Sequence, residues 1–400
     1  MSVRKLHPTS RRDFSRLLGT ALVTGPALGS LTGCSKPGAG VKIGVAAELT
    51  GEIPAVGLSC KQGAELAVSE INKAGGLEAF GVKHPITLVV LDTQGTADGA
   101  VMAIRKLGDQ EKCLAIVGPN SSTGAVPAAG IAEASKVIMI TPWSTNPQTT
   151  VYANTGNPRK WVFRACFTDP FEGKVLSKFA REYLRVSKAA VLYEENAAAP
   201  KSQAAIFQQD FTAGGGQIVA FEKYAEGEKD FRAQFTRIKE AGPDLIFLPS
   251  YYNEVAGQLA QARDLGITVP VLGSDNWSSP EWIAQAGPNA EGVFFCNHYS
   301  AGSRAPKTDS FVDRFRKKFD GATPDDVAAL TYDAFGLLAQ AVKTATKLER
   351  EEVRDALARI GTYEGATGKM TFRGTGDPEK SAVIFKVEGG KPVFVTSVEP

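Results

Sequence analysis

The sequence predicts an α/β protein of two lobes, each a parallel sheet covered by helices, and three observations carry that prediction. Short apolar, β-branched runs alternate with stretches of helical period along most of the chain. The alternation runs through once, breaks near Phe163-Arg164, and starts again. Repetition of strand, helix and strand places strands parallel with helices on both faces, and 400 residues suffice for two separate cores.

The first set opens with Lys42-Ile43-Gly44-Val45-Ala46-Ala47, an apolar run that reads as a buried strand. Ala64, Ala67, Val68 and Ile71 then fall on one helix face, ended by Gly75-Gly76. Ile86-Thr87-Leu88-Val89-Val90-Leu91 is a second strand, followed by a helix over 97–110. Leu114-Ala115-Ile116-Val117 and Val137-Ile138-Met139-Ile140 continue the set, with a helix between them. In the second set the expected strands are 189–193, 217–221, 244–248, 269–273 and 292–296, and the expected helices 203–213, 231–240 and 254–265. Two further helices carry Ala334, Leu337, Leu338 and Ala341 on one face and Val353, Leu357 and Ile360 on the other's. The tail, turning at Glu388-Gly389-Gly390, reads as a β-hairpin.

Ahead of this body, Arg11-Arg12 precedes a short run of small and apolar residues that ends in Leu31-Thr32-Gly33-Cys34. That order is expected of a twin-arginine export signal over 1–33, whose removal leaves Cys34 to be lipidated, with 34–40 as a Gly/Pro-rich linker. The apolar run is shorter than the roughly 20 residues a spanning helix needs. The expectation is therefore an extracytoplasmic body held to a membrane through Cys34.

Without residues 1–33 the chain carries 40 basic against 42 acidic residues, a net charge of −2. No basic stripe interleaved with aromatics is visible, which argues against a nucleic-acid partner. The body has four more cysteines, Cys60, Cys113, Cys166 and Cys296, enough for two disulfides in an oxidising compartment or for four reduced, buried thiols. With only His84 and His298 left in the body and no Cys-x-x-Cys pair, neither a zinc site nor a His-dependent triad is expected, and no cofactor is called for.

Ligands of parallel α/β sheets bind where strands end and helix N-termini face a crevice. Gly118-Pro119-Asn120-Ser121-Ser122-Thr123-Gly124 stands at such a place, where Ser121 or Ser122 either caps its own helix or, with free backbone N–H groups, meets an anion. Thr141-Pro142-Trp143-Ser144-Thr145-Asn146-Pro147 follows the next strand, and Trp143 there is either a packing residue or a ligand contact. In the second set, Tyr251 and Asp275 follow strands. Asp275 could hold an ammonium, or cap the helix that follows it.

With these residues in place the chain resembles the leucine/isoleucine/valine-binding family of periplasmic solute-binding proteins, the receptors of amino-acid ABC transporters. The likeness runs over 41–398. It is carried by Gly227-Glu228-Lys229-Asp230-Phe231, Pro243-Asp244, Tyr251-Tyr252-Asn253-Glu254, Gln261-Ala262-Arg263-Asp264-Leu265-Gly266-Ile267, Gly273-Ser274-Asp275, the 118–124 loop, Ser144-Thr145-Asn146-Pro147, and Gly51 with Gly57. The resemblance implies a type I periplasmic binding protein: two Rossmann-like lobes, 41–164 with 297–373 and 165–296 with 374–400, joined by a three-strand hinge. It implies that Ser122, helped by Ser121, and Thr145, with Ser144 and the backbone of Trp143, hold a ligand α-carboxylate. Asp275 and Tyr251 would hold the α-ammonium, Tyr299 would supply an aromatic at the hinge, and Val56 stands where leucine binders often carry an aromatic.

The expected activity is capture of an amino acid, or a related small carboxylate or amide, for an ABC permease. The protein would act as a monomer and without catalysis. A sensory receptor using the same closure is the alternative. A Ser-dependent hydrolase is disfavoured by the few histidines and the lack of a Gly-x-Ser-x-Gly elbow. The family's aromatic after the first strand of the second lobe is replaced by Glu194-Glu195-Asn196-Ala197-Ala198-Ala199-Pro200, so a strict leucine preference does not follow.

Overall fold

The computed structural model describes residues 38–279 and 281–400. Cys34 and the Arg11-Arg12 pair, with the export signal and lipid anchor expected of them, lie outside the described residues.

Two sheets organise the chain. The first has five parallel strands in the order Ile86–Asp92, Val41–Ala47, Ala115–Val117, Ile138–Thr141, Val162–Arg164. Its inner strands Ala115–Val117 and Ile138–Thr141 are buried at every residue, as expected of parallel strands covered on both faces. The second sheet has seven strands. Phe294–Asn297, Val271–Gly273, Leu245–Leu248, Lys188–Glu194 and Gln217–Tyr224 run parallel. The hairpin of Ala382–Glu388 and Lys391–Val398 joins Phe294–Asn297 antiparallel.

Between its visits to the second sheet the chain returns to the first set. The helix Asp326–Thr344, capped by the Asp325 side chain accepting from the Ala328 N–H at 2.9 Å, packs along the helix Pro54–Lys73. Close approach of those two helices depends on Gly63, where a Cβ would run into the Ala328 carbonyl oxygen. The chain therefore passes between the two sets three times, over 165–168, 298–305 and 380–381.

A buried polar residue marks each passage: Arg164, His298 and Lys380. Arg164 Nε donates to Asp377 at 2.6 Å, and its other nitrogens donate to the carbonyls of Ser144 and Asn146. Lys380 Nζ donates to the His298 carbonyl at 3.3 Å and to Thr367 Oγ1 at 3.1 Å. All three passages are thus tied to one another by side chains.

The expected strands and helices occur with ends displaced by a few residues. One helix starts earlier than expected, at Ala198 instead of 203, because Pro200 falls in the first turn, where its missing N–H leaves no helical bond unmade. A small hairpin, Leu77–Ala79 with Val82–His84, and a three-stranded sheet of Thr362–Gly365, Gly368–Phe372 and Pro378–Glu379 were not expected. Cys60, Cys113, Cys166 and Cys296 are all buried free thiols. Burial pushes Cys60 and Cys166 up to about 12 and Cys113 to about 11, which keeps the thiols protonated and unreactive. Among the described residues no helix is long and apolar enough to cross a membrane.

Candidate ligand-binding cleft

The strand Val41–Ala47 delivers Glu48, a carboxylate with no exposure, to the end of the first sheet. Its Oε1 accepts from the N–H groups of Asn120 and Ser121, both at 3.0 Å, and Oε2 from Asn120 Nδ2 at 2.7 Å. The loop that carries these donors is drawn against the first strand by Gly118, which has φ +97° and no room for a Cβ beside the Ala46 carbonyl. This corrects the expectation that free backbone N–H groups of the loop await a ligand: two of them serve an internal anion.

Ser121 caps the helix Ser122–Ala134, accepting from the Gly124 N–H at 3.4 Å. Ser122 is thereby left for other partners. Its Oγ lies 3.0 Å from Ser144 Oγ, which is 2.7 Å from Thr149 Oγ1, and it accepts from the Asn146 N–H at 3.4 Å. The carbonyl of Thr145, a buried residue, accepts from the Asp169 N–H at 2.9 Å. Trp143 is buried with its ring centroid 6.3 Å from that of Tyr251 and inclined 39° to it, so the tryptophan packs against the second set. Val56 is buried in the same apolar cluster as these two rings.

The two sets meet directly here. Thr123 Oγ1 accepts from the Ala198 N–H and Asn146 Nδ2 donates to the Ala198 carbonyl, each at 3.3 Å, while Tyr252 Oη accepts from the Ala55 N–H at 3.2 Å. Between them lies a cavity of about 70 Å³. It is lined from one side by residues that include Glu52, Ser121 and Thr123, and from the other by Glu194, Glu226 and Tyr251. Tyr251 Oη is buried without a hydrogen-bond partner.

Asp275 does not line this cavity and has no exposure. Capping of the short helix Asp275–Trp277 falls to Ser274, which accepts from the Asn276 N–H at 3.3 Å, so Asp275 is free of that role. Its Oδ1 accepts from Gln203 Nε2 at 2.7 Å, and its Oδ2 lies 2.9 Å from His298 Nε2. Because His298 Nδ1 has no partner, we assign the ring proton to Nε2, which then donates. Burial holds the imidazole well below its ordinary range, and Lys380 adds to the effect, so the ring is neutral. Glu172 Oε1 accepts from the Asp275 N–H at 2.8 Å. Burial pushes both carboxyls up, and for Glu172 the charge of Asp275 adds to it.

Tyr299 is not part of this gathering. It packs with Phe311 and Phe315, gives its hydroxyl proton to the Pro324 carbonyl, and lines a separate cavity of 790 Å³ beside Trp277 and Asp326. The aromatic expected at the hinge thus lines a different cavity from the one that holds Ser121 and Tyr251. Sequence reasoning in turn missed Glu48, Glu172, Gln203 and His298. Only Glu48, the acidic residue ending the first strand, stood in a position comparable to the residues it did select.

Two parallel-sheet sets, three passages and a cleft lined from both sides are the architecture of a type I periplasmic binding protein. Residues 40–391 match the sequence profile of the periplasmic binding protein family, and the chain belongs to that family. A Leu/Ile/Val-binding protein homologue from Brucella melitensis is 30% identical over 358 residues, covering 89% of this chain and 93% of the relative. The crystal structure of the leucine-binding protein LivK from Thermotoga maritima superposes with a TM-score of 0.83 at 33% identity, over 90% of this chain and 99% of that one. The branched-chain amino-acid transporter substrate-binding protein LivJ from Streptococcus pneumoniae, in complex with isoleucine, gives 0.82 at 32% identity, over 90% of this chain and all of that one. Members of the family are substrate-binding proteins located outside the cytoplasm.

Proposed function

We propose that this chain captures an α-amino acid between its two lobes and hands it to an ABC importer of the branched-chain amino-acid type, working as a monomer tethered through a lipid on Cys34. The lobes are 41–164 with 297–373 and 165–296 with 374–400, the short strand Pro378–Glu379 pairing back onto the first. Support comes from two kinds of buried group that the two lobes supply separately: hydroxyls of Ser122, Ser144 and Thr145 on the first lobe, and the carboxyl of Asp275 on the second. A zwitterion needs just these two kinds of partner, donors for its carboxylate and an anion for its ammonium. Closure removes water from both, so neither lobe alone would hold the ligand well. Asp275 keeps lone pairs beyond those that Gln203 and His298 use, which leaves room for an ammonium.

The test is a thermal-shift and calorimetric screen of ligand-free protein against α-amino acids, their amides and their decarboxylated amines. Ligand at 100 times its Kd should stabilise the protein by about 2.7 kcal/mol. Binding of amino acids but not of the corresponding amides and amines supports the reading. Binding of none of the amino acids overturns it.

A further inference from the structure

The cavity between the lobes is lined by more carboxyl groups than a zwitterion can use. Glu52 reaches it from the first lobe and Glu194 and Glu226 from the second, and no lysine or arginine lines it. Glu194 is buried at 5% exposure, and Glu254, also buried, stands close behind it with Oε2 accepting from the Tyr224 hydroxyl. Closing the cleft brings these carboxyls together across the lobe boundary, where each makes ionisation of its neighbours costlier. Burial, with Glu254, Glu52 and Glu226 as neighbours, pushes Glu194 up to about 8. Lys229 is the one cation acting the other way, and it does not line the cavity.

A second observation points to a ligand at the same place. Tyr251, only 7% exposed, lines the cavity with a buried hydroxyl that has no partner and can accept from an N–H. Its ring lines the same cavity and is held by the buried Trp143 ring, and aromatic faces attract cations. A volume of about 70 Å³ matches a polar head group of a few heavy atoms.

We propose that this subsite receives a positively charged side chain, so that the ligand is a cationic α-amino acid whose ammonium or guanidinium head sits against Glu194 and Tyr251, with Glu52 and Glu226 closing over it. The inference rests on the amino-acid reading above and narrows it. A cation there favours the ionised form of Glu194 and is held from both lobes at once, which couples ligand recognition to the closed state.

Pairs of near-isosteres test it: L-arginine against L-citrulline, and L-lysine against L-norleucine, by calorimetry on the ligand-free protein. The cationic member of at least one pair should bind about 30-fold tighter or more, the low end of the contribution of a desolvated charge pair. Glu194→Gln should shrink that ratio to within about threefold, and Glu226→Gln, at an exposed position, should shrink it part-way even if the Glu194 variant fails to fold. Equal or tighter binding of citrulline and norleucine overturns the cationic subsite and leaves the amino-acid receptor standing. Agmatine and cadaverine binding as tightly as arginine and lysine would overturn the amino-acid reading and leave the cationic subsite.

Discussion

Asp275 can act as a counter-charge because its neighbours orient it without using it up. Gln203 and the neutral His298 each meet one oxygen, and neither brings a formal charge that would quench the carboxylate. Replacing it by asparagine keeps the volume and removes the charge. Asp275→Asn should therefore weaken binding of an α-amino acid by about 2 to 5 kcal/mol, with the ammonium left buried and unpaired. Calorimetry on the variant reads this directly, and an unchanged Kd would remove Asp275 from the site. Ser121, Ser122, Thr145, Tyr251 and Asp275 stand out in the sequence because each lies in the segment that follows a strand. Their partners were not, since they arrive through space: Gln203 lies 72 residues before Asp275, Glu172 103 before it, and Glu48 72 before Asn120. Nothing local distinguishes such residues from ordinary surface polar groups.

Helices and strands were legible where they are long enough to show a period. Asp326–Thr344 displays its apolar face over 19 residues, and the buried strands read as unbroken apolar runs. Leu77–Ala79 and Val82–His84 have three residues each, too few for alternation to be seen, and the strands of 362–379 are no longer than five. Which helix would pack on which was also hidden, because Gly63 shows its role only once Ala328 is placed against it. Gly63→Val should force the helices Pro54–Lys73 and Asp326–Thr344 apart and destabilise the protein by about 1 to 3 kcal/mol. The urea midpoint measures this, and a midpoint equal to the parent's would mean the helices shift without cost.

Among the described residues of the whole molecule, buried carboxyls outnumber buried cations, and this sets how stability responds to pH. Burial is the largest cause that pushes Asp169 and Glu254 up to about 7 and Glu194 and Asp326 up to about 8. In the unfolded chain such groups titrate near pH 4. Between about pH 4 and 8 the folded protein thus binds more protons than the unfolded chain, and its stability falls as pH rises. Lys380 works in a different window. Burial lowers it to about 8, so between about pH 8 and 10.5 the unfolded chain holds the extra proton and this one group adds stability as pH rises. The ligand-free protein should accordingly melt at a higher temperature near pH 5 than near pH 8, and calorimetric scans at both values test it. A flat profile would show that the carboxyls reach water in the folded state.

The anchoring of the 118–124 loop by Glu48 bears on the order of events in capture. Because that carboxylate fastens the Asn120 and Ser121 amides from within their own lobe, the hydroxyl-bearing half of the cleft is finished whether or not anything occupies it. On the proposed reading an arriving amino acid would land on a prepared surface before the second lobe closes over it. Landing on a fixed surface proceeds at much the same speed for every small solute, so discrimination falls to the clasp. Good and poor ligands should differ little in how fast they arrive and greatly in how long they stay.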